Sequence, residues 1–149
     1  MMLFNTKNEL EQIDFHDCII EAINIEDNMI TFILESVNVL AAHTLNPFEF
    51  ARNTDQCILE FINVQSYESG YFVREKEDRI DIELVHNNDF EILKFDILNE
   101  NEMRFYKIFG MASNFNNEYS EILIRAEYTN IKWNKYVSDA WFVNWPKKK

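Results

Sequence analysis

The chain has 149 residues, 47% of them apolar and 13 of them Phe, with a formal net charge of −12. That length suits one domain able to bury roughly 70% of the surface its unfolded form exposes, so folding requires neither a metal nor a disulfide. Two Gly and two Pro argue against disorder and against Gly-rich phosphate loops, while the negative charge disfavours nucleic acid and anionic membranes as partners.

In chain order, "TKNELEQI" carries a capping-box pattern, Thr6 with Glu9, and predicts one or two helical turns over 7–13. The start has no basic region followed by a long apolar run, and no apolar run reaches the ~18 residues of a membrane span. With Cys18 and Cys57 the only cysteines, the composition reads as a reduced, cytoplasmic protein with two buried thiols. From Cys18 onward apolar and polar residues alternate with period two. "IEAINIEDNMITFIL" predicts a hairpin with Asp27-Asn28 at its turn, pairing Ile23 with Phe32, Asn24 with Thr31 and Ile25 with Ile30.

"CILEFINV", 57–64, predicts a strand covered on both faces. The 40–56 stretch is irregular, with room for one helical turn after Pro47, and "YFVRE" at 71–75 is a further short strand. "RIDIELVHNNDFEILKFD" matches as a hairpin turning at Asn87-Asn88. Its register sets Ile82 against Leu93 and Ile80 against Phe95, and also Asp81 against Lys94 and Arg79 against Asp96. "LNENE" turns the chain into a strand at 103–109, and "ASNFNNEYS" is a loop. "EILIRAEYTNIKWNKYV" predicts a third hairpin at Thr129-Asn130, pairing Ala126 with Trp133 and Glu127 with Lys132. Trp133, Trp141 and Trp145 then close one end of a β core, ahead of a frayed Lys147–Lys149 tail. About eight strands in antiparallel hairpins give one all-β domain, a sandwich or partly open barrel, with a short N-terminal helix as its minor α component.

Two groups of residues carry the functional expectations. "DFHDC" sets Asp14, His16 and Asp17 ahead of the first alternating strand. Asp14 and His16 share one face of an extended segment, and Asp17 faces the other way. The favoured reading is a polar clasp in which an Asp accepts backbone N–H groups and His16 donates to it or to a carbonyl. The alternative is a hydrolase or metal-dependent enzyme using His16 with Asp14 or Asp17. No third ligand is supplied by His43 or His86, and no G-x-S-x-G, C-x-x-C or H-E-x-x-H is present. No metal and no cofactor are therefore expected.

The second group is charge. Residues 1–51 hold nine acids against Lys7 alone, and in the first hairpin Glu21, Glu26, Asp27 and Glu35 have no basic residue beside them in sequence. An acidic hairpin without internal partners points to an external one, a basic protein. A further alternative is a small-ligand carrier with an aromatic-lined barrel cavity.

The string "DFHDCIIEAINIEDNMITFILE", 14–35, resembles the start of several small, uncharacterised bacterial β-protein families, in which an "HD" element leads into a strand, an acidic turn and a second apolar strand. Some of these look like immunity proteins of toxin systems. The resemblance places His16 and Asp17 at the strand start and implies a protein that masks a basic toxin; it assigns no catalytic residue.

Overall fold

The computed structural model describes residues 3–73, 78–87, 89–100, 102–112 and 118–143. They form twelve strands: β1 Phe4–Lys7, β2 Ile13–Asp14, β3 Ile19–Glu26, β4 Met29–Leu34, β5 Asn38–Val39, β6 Arg52–Thr54, β7 Cys57–Phe72, β8 Arg79–Asp81, β9 Phe90–Glu100, β10 Met103–Ala112, β11 Glu118–Trp133 and β12 Tyr136–Asp139. Single 3₁₀ turns lie at Leu10–Gln12 and Leu84–His86.

One sheet runs β1-β11-β10-β9-β3-β4-β7-β8, and β7 also pairs with β11. That extra ladder closes β11, β10, β9, β3, β4 and β7 into a ring. The ring is thin at one seam, where β3 and β9 share only Ile19–Glu91 and Ile20–Phe90. Beyond Ile20 β3 runs past the start of β9, and among the described residues no strand fills that gap; the second 3₁₀ turn packs there against β3 and β7, with Leu84 buried. The result is an all-β, partly open barrel. A small sheet, β12-β6-β5-β2, adds Ile13 and Val39 to the same core.

The first hairpin forms in the predicted register, Ile23 opposite Phe32 and Ile25 opposite Ile30. Asp27 takes the positive φ, 53°, that a two-residue turn requires. The alternation continues into burial, since Ile23, Ile30, Phe32 and Leu34 are inside while Asn24 and Glu26 are out. The turn at "LNENE" also forms, pairing Glu100 with Met103.

Two predicted hairpins do not form. Arg79–Asp81 pairs with β7, Tyr71 against Ile80, rather than with 93–96. Arg79 instead takes Glu68, Asp81 and Glu121 at 3.3, 2.8 and 2.8 Å, and Lys94 takes Asp96 of its own strand at 3.5 Å. β9 goes to β10, with which a two-residue connection lets ten residue pairs form. Ile80 is consequently 42% exposed; of the proposed turn, Asn87 is buried and Asn88 lies outside the described residues.

The second correction is at Thr129-Asn130, which lies inside the unbroken β11. Thr129 is fully buried, with Asn8 Oδ1 accepting its N–H at 2.9 Å. Ile131 faces Leu59, and Lys132 reaches Glu60 at 2.8 Å instead of Glu127.

Smaller differences concern the ends. Thr6 lies in β1, so the N-terminal helix reduces to Leu10–Gln12, whose N-cap residue Glu9 makes no side-chain capping bond. Tyr71 and Phe72 finish β7, and 74–75 lie outside the described residues. After Pro47 there is no helical turn. Cys57, Leu59 and Phe61 are buried on the inner face of β7, but Ile58, Glu60 and Ile62 on the other are half-buried, so cover is complete on one side only.

The core is a run of rings. Phe32 meets Phe61 at 4.9 Å, Phe61 meets Tyr106 at 5.0 Å, Tyr106 meets Phe95 at 6.3 Å, and Phe95 stacks on Phe15 at 4.3 Å. Phe32, Phe61, Phe90, Tyr106 and Trp133 are fully buried. These side chains fill the interior of the ring.

Candidate functional site

"DFHDC" forms a tight turn. Cys18 N–H donates to the Phe15 carbonyl at 3.0 Å, and Asp17, at φ 65°, sits where glycine is usually preferred. Asp14 Oδ1 accepts His16 N–H at 2.9 Å, and Asp17 N–H donates across the barrel seam to the Ile92 carbonyl at 2.7 Å. His16 Nδ1 lies 2.9 Å from the Leu93 carbonyl, so it carries the proton there. The turn thus fastens β2 and β3 to β9. His16 Nε2 lies 3.5 Å from Asp17 Oδ2. The Leu93 carbonyl, with the Asp17, Asp14 and Glu91 charges, holds the imidazole above its ordinary range against the opposing desolvation. Among the described residues no group of three His, Cys, Asp or Glu side chains is placed to hold a metal ion.

His16 stands between two hollows. A groove of about 430 Å³ runs along Glu11, Asp14, Lys94 and Asp96. A cleft of about 140 Å³ on the other side is lined by Asp17, Glu35 and Trp141, the last 51% exposed. Of the other tryptophans, Trp133 does close the core, and Trp145 lies outside the described residues.

The four acids of the first hairpin divide into two stations. Glu21 and Glu35 stand at its base, where Ile20 pairs with Leu34; Glu21 is the extra residue of a bulge and accepts Gln56 Nε2 at 3.1 Å. Glu26 and Asp27 stand at its tip. Six residues at ~3.3 Å each separate the stations by roughly 20 Å, so they are not one flat patch. The tip is pinned: Asn28 C=O accepts Val64 N–H at 2.8 Å, and Asn28 Nδ2 donates to Asn63 Oδ1 at 3.1 Å. All four acids are exposed, and none makes an ion pair among the described residues. Elsewhere carboxylates do find cations, as in Asp139–Arg52 at 2.9 Å and Glu100–Arg125 at 3.1 Å.

Both cysteines are buried and unbridged. Burial is the leading cause that pushes the Cys18 thiol up to about 12, and it raises Cys57 as well, which favours the protonated thiol in both.

Sequence reasoning missed His43, which it left in a loop. Its ring is buried edge-on against Trp133 at 5.7 Å. Nδ1 accepts Leu45 N–H at 3.0 Å, which fixes the proton on Nε2. Nε2 is 3.1 Å from Glu9 Oε2 but falls short of hydrogen-bond alignment. Desolvation therefore outweighs the Glu9 charge and holds His43 below its ordinary range. A buried neutral imidazole resists protonation that the unfolded chain accepts, so its stabilisation is complete above about pH 6.5 and is lost below it, by up to ~1.4 kcal/mol per pH unit. His16, shifted up, acts in the opposite sense: its stabilisation is present below about pH 6.5 and lost above. Urea unfolding at pH 7.5 and pH 5 is expected to show a larger acid-side loss in the wild type than in His43→Gln, which leaves His16 in place. Equal losses would contradict this account of His43.

No helix among the described residues is long and apolar enough to cross a membrane. A scan against protein-family models and searches of the curated proteins and the solved structures each return no match.

Proposed function

We propose that this chain is a non-enzymatic, cytoplasmic, immunity-like protein that masks a basic protein partner through its β3–β4 hairpin. The observation that carries the reading is that Glu21, Glu26, Asp27 and Glu35 are exposed and lack ion pairs among the described residues, on a hairpin pinned by hydrogen bonds at both ends. Exposed carboxylates at the base and at the tip of the hairpin, away from internal cations, raise the negative potential along it, which speeds and orients encounter with a positive surface. The net charge of −12 adds a long-range field of the same sign. The polar turn at Asp14, His16 and Asp17 supports this by fastening the hairpin base to β9.

The test compares the wild type with a variant carrying Glu21→Gln, Glu26→Gln, Asp27→Asn and Glu35→Gln. Both are used to capture proteins from an extract of the source cells, at low salt and at about 1 M salt, where the screening length falls to ~3 Å. Basic proteins retained by the wild type are expected to fall about tenfold or more in the variant and in high salt. Equal retention by the variant would reject the reading.

A further inference from the structure

β7 is a long strand whose neighbours on one side change along its length. β4 pairs with it through Phe61, and β8 pairs with it from Gly70. The flanks are sealed by Val64 N–H to Asn28 C=O at 2.8 Å and Ile82 N–H to Ser69 C=O at 3.0 Å. Between them, among the described residues, no strand pairs with the 65–68 edge on that side, a notch of roughly 13 Å at ~3.3 Å per residue.

The notch opens onto the gap in the barrel. Tyr67 lies on the same strand face as Ser69, which is buried, yet Tyr67 is 47% exposed. Ile25 and Ile82 are half-buried beside it, and Val85 is 39% exposed. Two hollows of about 490 and 320 Å³ meet there and share Ile25 and Tyr67. Among the described residues, every charged residue lining them is acidic: Asp27, Glu68, Asp81 and Glu83. Arg79 is shared among Glu68, Asp81 and Glu121, so the rim keeps a net negative charge.

We infer that this notch is where the partner docks, and that the occupant is an extended segment of that protein with apolar side chains alternating with Lys or Arg. This rests on the binding reading above and locates its centre at the hairpin tip rather than the base. The 65–68 edge offers backbone hydrogen bonds to an added strand, Ile25, Tyr67, Ile82 and Val85 take its apolar side chains, and the acids take its cations. A second copy of this chain is the wrong occupant, because it would set acid against acid.

The experiment uses a blocked heptapeptide of alternating Lys and Val, and a control with Ser replacing Val. Methyl-resolved NMR follows Ile25, Ile82 and Val85 in the wild type and in Tyr67→Lys and Val85→Lys, both exposed changes whose unaltered melting is checked first. The Lys/Val peptide is expected to shift those methyls, and about tenfold weaker binding is expected for either variant and for the Ser peptide. Shifts confined to the Glu11–Asp96 groove or the Trp141 cleft would overturn the inference and leave the binding reading standing. No binding of either peptide anywhere would count against both. A wild-type dimer abolished by Tyr67→Lys would show the face to be a self-interface and overturn the inference.

Discussion

Trp133→Ala is expected to lower the unfolding free energy by about 4 kcal/mol, a large part of what a domain of this size possesses. Trp133 is fully buried at the last position of β11 and pairs with Phe4 of β1. The Phe4 ring stacks on it at 5.5 Å, while His43 and Tyr136 present edges at 5.7 and 5.9 Å. One indole thus joins β1, the 40s loop and β12, which reach the core by separate routes. Removing it opens a cavity whose walls belong to three elements, so collapse around it is limited. Urea unfolding with an unchanged m-value measures the loss; a loss below about 1 kcal/mol would mean that the indole does not fill this position.

Gly110→Ala is expected to cost about 3 kcal/mol or more, and larger side chains to prevent folding. The reason is proximity: a Cβ at Gly110 would overlap the Glu91 carbonyl oxygen and the Phe90 ring. Gly110 sits where the β9–β10 register shifts, between Phe109 and Gly110, and the two backbones come together there. Phe90 is fully buried and contributes to the β3–β9 seam, so it cannot retreat without opening the ring. Thermal unfolding of Gly110→Ala checks this, and a melting temperature equal to wild type would contradict the close approach.

The letters of the first hairpin were sufficient because its turn, alternation and register agree over a short span and both strands are neighbours in sequence. The third hairpin failed for a specific reason. In β11 the buried residues are Ser120, Ile122, Ile124 and Ala126, then Thr129, Ile131 and Trp133. The change from even to odd positions is what a turn between them would produce. The chain instead absorbs it in a kink: Ala126 faces Val64 and Tyr128 faces Ile62, while Asn63 opposite takes φ 56° and Gln65 is an extra residue on β7. A phase shift in period-two patterning marks either a turn or a bulge, and only the partner strand decides between them.

The hairpin across 79–96 failed differently. Its apolar and charged positions match, but the competing partners, β7 for 79–81 and β10 for 90–100, lie outside the window that the pattern compares. The site followed the same rule. Asp14 and His16 were legible as a clasp, and the acids as unpaired in sequence, because both are local properties. The notch at 65–68 was not legible, since it exists only where two strands leave a third.

The notch beside the tip acids exists only if the β7–β11 ladder closes the barrel while β3 runs on past the start of β9. Backbone NOEs test this most directly. Contacts are expected from Leu59 to Ile131 and from Tyr67 to Ile124, on either side of the bulge in one antiparallel ladder. Backbone NOEs linking Ala126 to Trp133, or Ile80 to Phe95, in place of these would mean two local hairpins and no notch, and would contradict it.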